Sequence, residues 1–132
     1  MIHTKDLMLG NWVEYYLTEN KTICSTPIQV AVITRKTISY DRSKIGGGCM
    51  CDVEEESLVG IPITEELLEK CGFCKGAYYW FDSNAVEVAL MGSVALMHFL
   101  RDEDWKVTDI RFLHQLQNAY YTLTKKELVV KL

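Results

Sequence analysis

The sequence predicts an α+β fold with more sheet than helix. Three observations predict it. Short runs rich in aromatic and β-branched residues recur along the chain, set apart by turn-forming residues. Two segments instead carry apolar residues at helical spacing, the second of them near the C-terminus. The leading run, around Gly10-Asn11-Trp12-Val13, opens a set of strands joined by tight turns. That pattern fits two small antiparallel sheets or a curled SH3-like sheet. At 132 residues the chain is expected to form a single domain over 1–132. Hydrophobic residues make up 48% and charged residues 24%, which allows a real core and excludes a disordered chain or a coiled coil.

Taken in order, Leu7 to Leu17 reads as the first strand, with a bend at Gly10 and Asn11. Ile28 to Thr34 and Thr37 to Tyr40 read as strands two and three, a hairpin about Arg35-Lys36. Asp41 to Ser57 reads as one long irregular loop, and such loops are functional or mobile. A short strand follows at Leu58 to Ile61. Thr64 is placed to cap a helix whose first turn holds Glu65 and Glu66, where the helix dipole favours negative charge. Leu67, Leu68 and Cys71 can face the core, and Gly72 is placed to stop that helix. Ala77 to Asp82 reads as a strand, Ser83-Asn84 as a turn, and Ala85 to Met91 with Val94 to Leu100 as a hairpin about Gly92-Ser93. A charged loop, Arg101 to Asp104, leads to a short strand at Trp105 to Val107. Asp109 to Leu123 is the second helix, with the apolar stripe Leu113, Leu116, Tyr120 and Leu123. Thr124 to Glu127 has capping-box spacing for a short last turn, and the final Leu128 to Leu132 reads as a strand.

Lys plus Arg is 14 against 18 for Asp plus Glu, a net charge of −4. A nucleic-acid binder ordinarily carries a basic face that displaces counterions from phosphates, so the balance argues against nucleic acid. Met1 to Trp12 has no apolar run and does not read as a secretory signal. The longest apolar stretch, Val86 to Leu100, is too short to span a bilayer and contains Glu87 and His98. The expectation is a soluble, cytoplasmic protein with no membrane partner. Its five cysteines are then mostly reduced, and an odd number fits poorly with a closed disulfide framework.

Two segments, Ile61-Pro62-Ile63-Thr64-Glu65-Glu66-Leu67-Leu68-Glu69-Lys70-Cys71-Gly72-Phe73 and His114-Gln115-Leu116-Gln117-Asn118 with Tyr120, Leu123-Thr124 and Glu127-Leu128, carry a resemblance. With Leu9-Gly10-Asn11-Trp12-Val13, they resemble a family of small uncharacterised proteins from anaerobic bacteria and their phages and prophages. The chain departs from the family at Lys125, where Gly is more usual, and at Ala119, where a larger apolar residue is usual. No activity or site residue comes with the resemblance. It implies a small accessory protein, often carried by phages or mobile elements.

Three groups of residues are candidate sites. His114, Gln117, Asn118 and Tyr121 share one face of the second helix. Such an uncharged polar stripe either binds a ligand or partner or is satisfied inside the fold. Cys49-x-Cys51 and Cys71-x-x-Cys74 supply four thiols that could hold a tetrahedral zinc, though C-x-C is an unusual half and Cys71 is expected to face inward. The C-x-x-C pair follows a helix, unlike a thioredoxin-type redox pair, and Cys24 reads as a small buried hydrophobe. Arg42 and Lys44 flank Gly46, Gly47 and Gly48, whose backbone N–H groups could approach an anion, although no P-loop spacing is present. Elsewhere His98 reads as a satisfied core histidine. Trp12, Trp80 and Trp105 read as core, while Tyr78 or Trp80 could stack a base.

The expectation is a non-enzymatic binding protein without a cofactor. It would sequester a small, anionic, nucleotide-like ligand, with a counter-defence role set by the phage-type context that the resemblance implies. Arg42, Lys44 and Arg111 would supply charge; His114, Asn118 and Tyr121 would supply hydrogen bonds and stacking. One alternative is a module that binds and inhibits a host protein, with a homodimer as a further use of the same patch. The other is a small zinc protein built on Cys49, Cys51, Cys71 and Cys74.

Overall fold

The computed structural model describes residues 2–17, 22–23, 27–41, 50–100 and 102–132. The fold is α+β: small antiparallel sheets and two α-helices, the second near the C-terminus. The chain divides into two compact units, Met1–Ile61 and Pro62–Leu132. No helix among the described residues is long and apolar enough to cross a membrane.

The first unit is built around β1 (Trp12–Leu17), which changes partner every two residues. Trp12 and Val13 pair with Gln29 and Ile28 of β3 (Ile28–Gln29). Glu14 and Tyr15 pair with Val59 and Leu58 of β7 (Leu58–Val59). Tyr16 and Leu17 pair with Ile23 and Thr22 of β2 (Thr22–Ile23). A second sheet joins β4 (Val32–Ile33), β5 (Thr37–Asp41) and β6 (Met50–Glu54). Because β3 runs on into β4, the chain from β3 to β7 returns to the strand it left. The unit thus holds two small antiparallel sheets, with β1 paired to both β3 and β7. Ile2, Leu7, Val13, Ile28, Ile38 and Leu58 belong to its buried core.

Two expectations for this unit are corrected. The first strand begins at Trp12 and not at Leu7, because Gly10 takes φ +89° and the Asn11 side chain accepts a hydrogen bond from the Met8 N–H. The expected loop from Asp41 to Ser57 contains a full strand, β6, paired to β5 from Thr37–Glu54 to Asp41–Met50. Its alternation is hidden because Val53 is buried while Asp52 and Glu54 point to solvent. A 3-10 turn, Glu55–Ser57, then leads into β7. The Thr4 N–H donates to the Glu55 carboxylate at 2.9 Å and holds its pKa below the ordinary carboxylate value.

In the second unit α1 (Glu65–Lys70) starts as expected: the Leu67 N–H donates to Thr64 Oγ1 at 3.1 Å. Gly72 ends it with φ +86°. Five strands then form one antiparallel meander: β8 (Cys74–Lys75), β9 (Trp80–Phe81), β10 (Val86–Met91), β11 (Val94–Phe99) and β12 (Val107–Ile110). On one face Val86, Val88, Ala95 and Met97 are fully buried. The cross-strand pair Glu87–His98 lies on the other. α2 (Leu113–Thr124) contacts β11 and β12 and buries Leu113, Leu116, Ala119 and Tyr120.

Four expectations here are also corrected. The strand expected at Ala77 to Asp82 shortens to β9, and β8 pairs with it across Gly76, where a Cβ would lie 2.5 Å from the Phe81 ring. The second helix begins at Leu113 and not at Asp109. Val107 to Ile110 instead pair with the edge of β11 through an irregular register, burying Ile110. Gln115 Oε1 then accepts from the Arg111 and Phe112 N–H groups, at 2.8 and 3.1 Å, which closes the helix start. Thr124 opens no last turn. Its hydroxyl returns to the Tyr120 carbonyl, and Lys125 leaves the helix with φ +59°. The tail forms no strand; Leu128 is buried and the Lys131 N–H bonds the Lys70 carbonyl.

Candidate functional site

The first unit carries a groove of about 220 Å³. Its rings come from Trp12 at the start of β1, Tyr40 near the end of β5, and Pro27 just before β3. Ile28, Val30 and Ala31 complete an apolar trough, with Gln29 and Asp41 as its polar members. The fold of the unit brings these separate segments together. The backbone beneath is already committed. The Val30 N–H donates to the Asn11 carbonyl and the Ala31 N–H to the Ser39 carbonyl, both at 2.8 Å. The Gln29 amide donates to the Gly10 carbonyl at 3.1 Å, and the Tyr40 and Tyr15 hydroxyls meet at 3.4 Å. The groove therefore offers rings and apolar walls over two backbone donors, the Val30 and Ala31 N–H groups, that are already bonded. Leu9 and Val32, 64% and 44% exposed, add apolar surface in the same unit.

Sequence reasoning gave Trp12 to the core and Tyr40 to a strand. A weak signal was present: Pro27 directly precedes a strand, a position where its missing N–H does no harm. The registers that join Trp12 to Gln29 were not readable.

The polar stripe of α2 is split by burial. His114 and Gln117 are buried, Asn118 is half-buried, and Tyr121 is exposed. His114, Gln117 and Asn118 all engage partners, and the His114 ring stacks on Phe112 at 5.9 Å. Arg111 is exposed and its Nε donates to the Asp109 carboxylate at 2.8 Å. Arg42, Lys44 and the three glycines lie outside the described residues, as do Cys24 and Cys49. Of the other cysteines, Cys51 is half-buried on β6, Cys71 is buried at the end of α1 and Cys74 is exposed on β8. Burial pushes the Cys71 thiol up to about 12. Among the described residues no three His, Cys, Asp or Glu side chains gather as a metal site.

A second cluster lies in the second unit. His98 Nε2 and Glu87 Oε1 are 2.6 Å apart and both side chains are about nine-tenths buried. The Trp105 ring stacks on His98 at 3.9 Å. Tyr79 meets Trp105 at 5.7 Å, and Tyr78 meets Tyr79 at 6.4 Å. The buried His98 Nδ1 has no hydrogen-bond partner among the described residues. Trp80 is buried core, whereas Tyr78 is 88% exposed. A third polar group is structural in character. The Tyr120 hydroxyl donates to the Asp82 carboxylate and accepts from the Asn84 amide. Burial first, then the Asp82 carboxylate, push the Tyr120 pKa up to about 12.

No protein-family model, curated protein or solved structure matches this chain.

Proposed function

We propose that the protein is a non-enzymatic binding module that takes an extended, proline-bearing segment of a partner protein into the Trp12–Tyr40 groove. One observation carries this reading: aromatic rings and apolar walls line a trough over the Val30 and Ala31 N–H groups, which are already bonded to the Asn11 and Ser39 carbonyls. Those two donors are not open to an occupant, and what the trough offers it is side-chain burial. A polyproline II segment suits that kind of hold. It carries no internal hydrogen bonds, is ordered before it binds, and stacks prolyl rings on aromatic side chains. Each fully buried ring or aliphatic side chain contributes roughly 1.5–3 kcal/mol before ordering costs.

The ligand-sequestering expectation places its charge on Arg42, Lys44 and Arg111; Arg111 is engaged by Asp109, and half of the helical stripe is buried. The groove instead has a carboxylate, Asp41, among its lining residues, which suits an anion poorly. The phage-type context implied by the resemblance makes a host protein the natural source of the segment.

The test is affinity for a proline-rich decapeptide in the full chain and in two variants. Trp12→Ala removes a wall and is expected to weaken binding by tenfold or more, as for an aromatic anchor worth about 2 kcal/mol. Ala31→Arg places a long side chain at an exposed groove position and is expected to block binding while leaving the core intact. Affinity unchanged in both variants would remove the groove from the account.

A further inference from the structure

We propose that the second unit carries a separate site, formed by the turn between β8 and β9 and the loop between β11 and β12, for an arginine side chain of a partner protein. Tyr78 is 88% exposed and Tyr79 40% exposed, which leaves a broad aromatic surface in water. Their rings and that of Trp105 form a continuous series, tilted by 58° and 66° from one to the next. The series has a fixed base, because Trp105 is stacked on His98 and His98 is held by Glu87. A surface fixed in this way loses little entropy when it binds.

The loop that carries Trp105 is net acidic, with Asp102, Glu103 and Asp104 against Arg101 and Lys106. Asp102, Glu103 and Asp104 directly precede Trp105; the first is half-buried and the other two are exposed. Among the described residues of this loop these three carboxylates stand beside one lysine, the exposed Lys106. On β8, Lys75 is engaged by Glu65 at 3.4 Å and lies 6.0 Å from the centre of the Trp80 ring. The site thus offers aromatic faces and carboxylate acceptors. A guanidinium is planar, always charged and donates only, so it can stack on a tyrosine ring and bond carboxylates at the same time. A lysine ammonium satisfies the charge but cannot stack as a plane. A phosphate is repelled by the same carboxylates.

The experiment is calorimetric titration of the full chain with a short acetylated peptide containing two arginines, and with its lysine and citrulline counterparts. At low salt the arginine peptide binds, the lysine peptide binds about fivefold more weakly, and the citrulline peptide, planar but uncharged, does not bind. Tyr78→Ala, and separately Glu103→Gln with Asp104→Asn, each weaken the arginine peptide by about fivefold or more. All three positions are exposed, so the fold is retained, which a far-UV spectrum checks. Equal binding of the arginine and citrulline peptides, or full affinity in Tyr78→Ala, overturns the proposal. So does the absence of arginine binding. Binding of adenosine that depends on Tyr78, without arginine binding, overturns it in favour of base stacking.

Discussion

Lys125 closes α2 with φ +59°, where Cβ crowds the following carbonyl and where glycine is at ease. Lys125→Gly is expected to stabilise the protein by about 0.5–1 kcal/mol, after allowing for the greater freedom glycine gives the unfolded chain. Urea midpoints measure it; an unchanged or lower midpoint contradicts the strain. Cys71 and Tyr120 set a second effect at this scale. Both are acids held neutral in the fold, with values pushed up to about 12 from ordinary values of 9.0 and 10.0. The unfolded chain therefore loses these protons first as pH rises. Their contribution is full below about pH 9 and is lost as pH climbs toward 12. Denaturation midpoints are expected to fall across that interval, and Cys71→Ala is expected to flatten the lower part of the fall. A profile flat from pH 9 to 12 contradicts the burial of both groups.

The helices were legible where side chains act on their own neighbours, and the strands where turns are tight. Thr64 caps α1 and Gly72 stops it, as the spacing predicts, because both effects act within a single turn. Thr64→Ala is expected to cost about 1 kcal/mol, read as a lower thermal midpoint; no loss contradicts the cap. The start of α2 was not legible. The helical pattern reads from Asp109, but Val107 and Ile110 pair with β11, and Gln115 closes the helix start from inside the helix. β6 was missed for a related reason. It is paired to β5 on one side with a single well-buried residue, Val53, so its sequence has the polarity of a loop.

At the scale of the whole molecule, the two candidate surfaces belong to different units and were legible to different degrees. From the sequence Tyr78 or Trp80 could stack a base, and of the two the structure exposes Tyr78 and buries Trp80. The groove was not legible, because its lining comes from β1, β3, β5 and Pro27, which only the fold of the unit brings together. Its central claim is most directly tested by a ¹H–¹⁵N correlation titration of the full chain with a proline-rich decapeptide. The account predicts saturable shifts centred on the Trp12 indole and on the Gln29, Val30, Ala31 and Asp41 amides, absent in Ala31→Arg. Shifts centred on the α2 residues His114, Asn118 and Tyr121, or no shifts at all at millimolar peptide, would contradict it.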